Sequence, residues 1–310
     1  MSRQIQIISI PSSAGSTHPG LEQAPAAIRD TGFIDALRNA SHTVVECDDH
    51  LPVWKWRRDA NELITSNVKA AIDYIEHTRS RVAQALKAGY LPLVLGGDCT
   101  IEIGVVAASI DAGHRVGLIY CDGHSDLNVP GSVPNGTGEF AESLDWMGVA
   151  HMLGVEGAIP ELARIGSRHP LLNVADVAVV GFVPEQASDF EKQQIQRLGM
   201  RVLNWDMVSR HPEGEMTNLL ETWGQEFDHL LVHFDVDVLN FLDTPIADTT
   251  ASREVGLTLD QAMRVLATLA TDSRFSGLTI TEINPMQNVK NNASIDALHR
   301  FAHKLAQVFN

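Results

Sequence analysis

At 310 residues with 44% apolar side chains, the chain can bury a sizeable core, which excludes intrinsic disorder as its default state. A formal net charge of -16 with no Lys/Arg cluster excludes a general nucleic-acid binder, because affinity for phosphate backbones rests on clustered cations. Only Cys47, Cys99 and Cys121 occur, at no repeated spacing, and no apolar run reaches the about 18 residues of a membrane span. A disulfide framework and a membrane partner are therefore not expected, and with no basic-then-apolar leader a cytoplasmic protein is.

The predicted elements alternate between strand and helix from the first residues onward, the pattern of a parallel sheet covered on both faces. IQIISIP makes a first strand over 4–10, the Gly/Ser/Pro-rich stretch Pro11 to Gly20 a long loop, and PAAIRD from Pro25 a helix. Apolar residues three and four apart from Leu63 through Leu86 predict a long amphipathic helix stopped at Gly89. Strands follow at LPLVLG, Val116 to Cys121, Val177 to Val180, Arg201 to Leu203, Leu230 to Asp235 and Gly277 to Thr281, at least seven in all. Between them, the Gly/Pro/Ser/Asn-rich stretch 128–142 reads as a substrate-facing loop, and 240–254 poses the same choice between that and a surface connection. Trp54, Trp56 and the following Arg pair read as a lid or an oligomer contact.

Four of these strands run straight into acidic, His or Cys side chains: LPLVLGGDC, VGLIYCDGHSD, LLVHFDVD and LTITEINP. A single Asp at a strand end is usually a cap or turn former. In an open parallel sheet, however, the carboxyl ends of the strands line one crevice, where residues far apart in sequence converge. Asp122, His124 and Asp126 reach a small volume if the backbone turns at Gly123. Asp235 and Asp237, two apart, point the same way if they share a strand face. Such a set of carboxylates in a low-dielectric crevice repels itself unless cations are present, and two divalent ions resolve the repulsion. His233 is expected on the opposite strand face as a buried, hydrogen-bonded histidine. His299 and His303, four apart without a Glu between them, are not expected to bind metal.

GGDC at 96–99, DGHSD at 122–126 and DVD at 235–237 resemble the three signature motifs of the ureohydrolase family, which includes arginase, agmatinase and formimidoylglutamase. GLEQAPAAIR at 20–29 resembles its N-terminal loop and helix, and TEINP at 281–285 its final strand end, so the resemblance spans nearly the whole chain in order. It implies one α/β domain over 1–310, a three-layer α/β/α fold with a central, mostly parallel sheet as in the arginases and deacetylases. It also implies two Mn2+ per chain, with Asp122 and Asp235 bridging, Cys99 and Asp126 completing one site, and His124 and Asp237 the other. Asp98 is expected to support its loop. A hydroxide held between the ions would attack the central carbon of a guanidino or amidino substrate, releasing an amine and, from a guanidino compound, urea. Glu282 would hold the guanidinium over the metals. Asp126, Glu282 and Asp145 are the implied catalytic residues, with Asn128 and Glu282 binding substrate, and a homo-oligomer, a trimer or hexamer, is implied.

Three departures accompany the resemblance. Most members have His where this chain has Cys99, and a sulfur ligand shifts the preference toward softer divalent ions. Asp145, in SLDWMGV, stands where arginase-like members carry a catalytic His, with His151 expected to serve packing or surface. Asn240 and Phe241 replace the Asp-Pro that usually follows the DVD pair. The loops that would read an amino-acid tail do not match, so an arginine hydrolase is not expected and the substrate's tail stays open. Two alternatives stand beside the guanidino or amidino hydrolase: a mononuclear zinc amide hydrolase using Asp122, His124 and Asp235, and a non-catalytic family member.

Overall fold

The computed structural model describes residues 2–16, 19–47, 51–54, 63–132, 143–248, 254–286 and 293–309, with 63–66 in backbone only. Trp56 and the Arg pair after it, most of the 128–142 stretch and the 249–253 part of the later one lie outside the described residues.

Eight strands form one sheet: β1 (Gln4–Ser9), β2 (Thr43–Glu46), β3 (Leu91–Leu95), β4 (Val116–Cys121), β5 (Val177–Phe182), β6 (Arg201–Asn204), β7 (His229–Asp235) and β8 (Phe275–Thr281). Their order is β2-β1-β3-β8-β7-β4-β5-β6, and every neighbouring pair is parallel. The seven expected strands are present, and β2 is the addition; its half-exposed TVVE, four residues at the sheet edge, carries too short an apolar run to be read beforehand. Interior strands β4 and β5 are buried along their whole length, as in a parallel sheet covered on both faces.

Side-chain alternation divides the core in two. Ile5, Ile7, Ile119, Val232, Phe234 and Ile280 face the helices Ala24–Asp30, Phe33–Asn39, Pro212–Trp223, Leu259–Thr271 and Ala293–Val308. Ile8, Val94, Leu118, Tyr120 and Leu231 face the long helix Leu63–Lys87 with Glu102–Asp111 and Gly148–Leu153. The architecture is the expected three-layer α/β/α arrangement, with a sheet that is wholly rather than mostly parallel. Among the described residues, no helix is long and apolar enough to cross a membrane.

Candidate metal centre

The four strands singled out by their acidic ends are contiguous in the sheet, in the order β3-β8-β7-β4, so their carboxyl ends open onto one crevice. After β3 the chain passes Gly97, whose hydrogen lies against the Ser12 carbonyl; a Cβ there would sit 1.6 Å from that oxygen. Asp98 then caps the short turn Cys99–Ile101, accepting the Thr100 N–H (3.1 Å) and, across the crevice rim, the Gly15 N–H (2.9 Å). It supports the loop, as expected. After β4, Asp122 accepts the His124 N–H (2.5 Å), which curls the chain at Gly123.

The reading of Asp235 and Asp237 on a shared strand face needs correction. β7 ends at Asp235, and a 3-10 turn, Val236–Val238, carries Asp237 round, with its N–H donating to Asp235 Oδ1 (2.7 Å). The carboxylates converge because the strand has stopped. The placing of His233 also needs correction: two residues before Asp235, it shares that residue's face and lies in the same cluster.

Among the described residues, two groups of potential ligands result. An inner one comprises Cys99, Asp122, His233 and Asp235, an outer one Asp122, His124 and Asp237; within each, one ligand atom per residue lies within 4.8 Å of all the others. Asp122 belongs to both, whereas Asp235 belongs only to the inner group and Asp126 to neither. His124 Nδ1 is 2.8 Å from Asp237 Oδ2, and the Gly123 N–H donates to Asp237 Oδ1 (3.1 Å).

The donor set fits divalent cations. Asp122 Oδ2 is fully buried without a hydrogen-bond partner, a costly arrangement for a carboxylate that lacks a counter-charge. Among the described residues, no Lys or Arg forms an ion pair with Asp122, Asp126, Asp235, Asp237 or Glu282. Burial first, then the charge of Asp237, pushes the Asp122 carboxyl up to about 7. Burial and the neighbouring carboxylates hold Asp126, Asp235 and Glu282 well above the usual carboxylate range. The Cys99 thiol is likewise raised by burial and by Asp235, and donates to Asp235 Oδ2 (3.1 Å). A cation at these atoms reverses that logic, favouring carboxylates and a thiolate.

The other expected site residues surround this cluster. Among the described residues, Asp126 and Glu282 are two of three non-glycine residues with positive φ, 49° and 63°, and such strain collects at functional positions. Tyr120 donates its hydroxyl to Asp126 Oδ2. Glu282 Oε1 accepts the Cys99 N–H (3.0 Å), and its own N–H is held by the Gly97 carbonyl (2.9 Å). Asp145 is buried in the turn Asp145–Met147, takes the Ser143 hydroxyl, and is raised to about 8 by burial and by Asp98 and Asp248. His151 is buried in the following helix, a packing position. Asn128, also buried, uses Oδ1 to accept the hydroxyls of Ser188 (2.8 Å) and Ser132 (3.2 Å). His299 and His303 lie exposed on the last helix and belong to neither of these ligand groups.

Some residues escaped sequence reasoning. Ser188 and Glu191 form a capping box at the start of Asp189–Leu198, and Glu191 also accepts the Ser125 hydroxyl (2.8 Å), clamping the segment that carries Asp126 and Asn128. The S-x-x-E spacing was a visible signal for the cap. Nothing local indicated that the cap would meet DGHSD.

The chain is similar to known proteins in sequence and in fold. A family model described as "Arginase family" matches residues 3–307. The arginase of Bacillus caldovelox is 27% identical over 295 residues, covering 93% of each chain. In structure, arginase from Bacillus subtilis superposes with a TM-score of 0.81 at 22% identity over 98% of both chains. Formimidoylglutamase from the same species gives 0.70 at 14% identity, covering all of this chain and 88% of its own. These two likenesses speak for the fold.

Proposed function

The chain belongs to the arginase family, hydrolases of C–N bonds in linear amidines, and from that premise we propose that it hydrolyses a guanidino or amidino compound at a pair of divalent cations. The observation that carries this reading is the pair of ligand groups joined at Asp122, whose second oxygen is buried and unpaired. Asp122, Asp235 and Cys99 would hold the inner cation and Asp122, His124 and Asp237 the outer one, manganese being typical of the family. When bound, such cations supply a nucleophile at neutral pH by lowering the pKa of water.

The chain's own residues do the rest. Glu282, fixed between the Cys99 N–H and the Gly97 carbonyl, presents a carboxylate to the cationic guanidinium, a charge-assisted contact that orients its central carbon. Asp145, protonated at neutral pH because its carboxyl sits near 8, gives a proton to the departing nitrogen as the C–N bond breaks. Water thus adds OH to the carbon and H to the leaving amine; a guanidino substrate yields urea. Asp126 steadies the crevice through Tyr120, and Asn128, held by Ser188 and matching a family position that contacts substrate, would meet the substrate's tail.

Ion stoichiometry by elemental analysis after manganese loading, followed by a screen of guanidino and amidino compounds for urea or ammonia release, tests the reading. Two ions per chain and turnover of one compound are expected. A single zinc would favour the amide-hydrolase alternative, and no ion at all a non-catalytic member.

A further inference from the structure

Beneath the cluster lies a buried pair that the proposed reaction leaves unused. His233 and Glu102, 131 positions apart, are both fully buried, with His233 Nδ1 3.3 Å from Glu102 Oε2. The other carboxylate oxygen, Oε1, has no partner. A carboxylate buried on so little hydrogen bonding is costly, and core packing alone does not call for one. Its effect on the imidazole is definite. An Nδ1–H donated to Glu102 leaves Nε2 as the lone-pair nitrogen, and Nε2 lies 3.2 Å from Thr281 Oγ1, itself 3.2 Å from Cys99 Sγ. Tyr120 stacks on the ring, centroids 4.1 Å apart and planes 5° from parallel, and so fixes its plane. A carboxylate that orients a histidine whose other nitrogen faces a ligand cluster is the arrangement found behind metal-binding imidazoles. The residue that would otherwise share the position, Asp126, gives one oxygen to Tyr120 and stands outside both ligand groups.

We propose that His233 Nε2 is a ligand of the inner cation together with Cys99, Asp122 and Asp235, and that this sulfur and imidazole pair makes the inner position selective for a thiophilic ion, zinc above all, while the outer position keeps an oxygen-seeking one. The inference rests on the two-cation reading above and makes the centre mixed. Nitrogen and thiolate donors favour zinc or cobalt over manganese, whereas the outer group, two carboxylates and one imidazole, does not discriminate in this way. Glu102 is a positioning residue: it would set the tautomer and hold the ring orientation of His233.

The test is cobalt titration of the chelator-stripped full chain, followed by absorption spectroscopy and competition with zinc and manganese. Two equivalents should bind, one of them with a near-ultraviolet sulfur-to-cobalt charge-transfer band that zinc bleaches and manganese does not. Cys99→Ser should abolish the band. Glu102→Gln should weaken that equivalent by about 10–100-fold, and His233→Gln by at least as much, with the other equivalent unchanged. Should His233→Gln fail the circular-dichroism check for folding, Glu102→Gln and Cys99→Ser carry the test. Two equivalents with no band, or with the inner affinity indifferent to Glu102→Gln, overturn the inference and leave the two-cation reading standing. One equivalent that carries the band and depends on His233 upholds the inner site and removes the second cation. No uptake overturns both.

Discussion

Asp122 belongs to both ligand groups and carries a buried, unpaired oxygen, so its side chain is where a single atom change has the widest effect. Asp122→Asn keeps the shape and the acceptor for the His124 N–H but removes the charge that both cations would share. It is expected to lose both ions and all turnover above background while keeping its far-ultraviolet circular dichroism; retention of turnover would end the two-cation mechanism. Asp145 acts later in the proposed reaction, at the proton. Asp145→Asn should leave ion binding intact and lower kcat by about a hundredfold or more, the lower range for loss of a positioned acid. An unchanged kcat would reduce Asp145 to a buried partner of Ser143.

At the scale of elements, the crevice depends on close backbone approaches that local propensity does not describe. The turn after β3 passes the Ser12 loop at a distance that only glycine at 97 permits, and both halves of that contact hold the site. Gly15 donates to Asp98, and the Gly97 carbonyl positions Glu282. Gly97→Ala must therefore move backbone, and a loss of about 3 kcal/mol or outright failure to fold is expected in urea titration. Ser188 combines two tasks, capping Asp189–Leu198 and donating to Asn128. Ser188→Ala should cost about 1 kcal/mol of stability through the cap and raise KM through Asn128, with kcat little changed. If KM does not move, Asn128 does not read the substrate.

For the whole molecule, the consequence of gathering so many carboxylates is a pH-dependent stability. Asp122 at about 7 and Asp145 at about 8 bind protons more tightly folded than unfolded, so the stability they contribute is present at low pH and lost as pH rises through those values. His151 and His229, lowered from 6.5 to about 4 chiefly by burial, act oppositely: their contribution is present above 6.5 and lost as pH falls toward 4. The two pairs offset one another at acidic pH. Of these four, only the carboxylates still titrate above 6.5, so the metal-free protein should lose stability as pH rises toward 8. Cations at the ligand groups would remove most of that slope, and at a hundred times Kd would add about 2.7 kcal/mol. Thermal unfolding with and without chelator across this range measures both. Equal slopes in the two forms would mean that the carboxylates do not meet the ions.

The strands and the chemistry at their ends are legible in the amino-acid sequence alone. Continuous apolar runs such as LPLVL and VGLIY can only be strands buried on both faces, and GGDC, DGHSD and DVD announced carboxylates and a thiol where such strands stop. These signals are local, carried by composition and spacing along a few residues. The exception is instructive: the spacing of DVD predicts a strand face, and the turn that brings Asp237 round depends on a hydrogen bond to Asp235 that spacing does not reveal. That β3, β8, β7 and β4 are neighbours, that Glu191 clamps the DGHSD loop through Ser125, and that Glu102 backs His233 are matters of three-dimensional packing. Those contacts join residues as far apart in sequence as Leu93 and Leu278. Their partners are chosen by sheet order and helix packing, which sum weak preferences over the whole chain and leave no mark on any single segment.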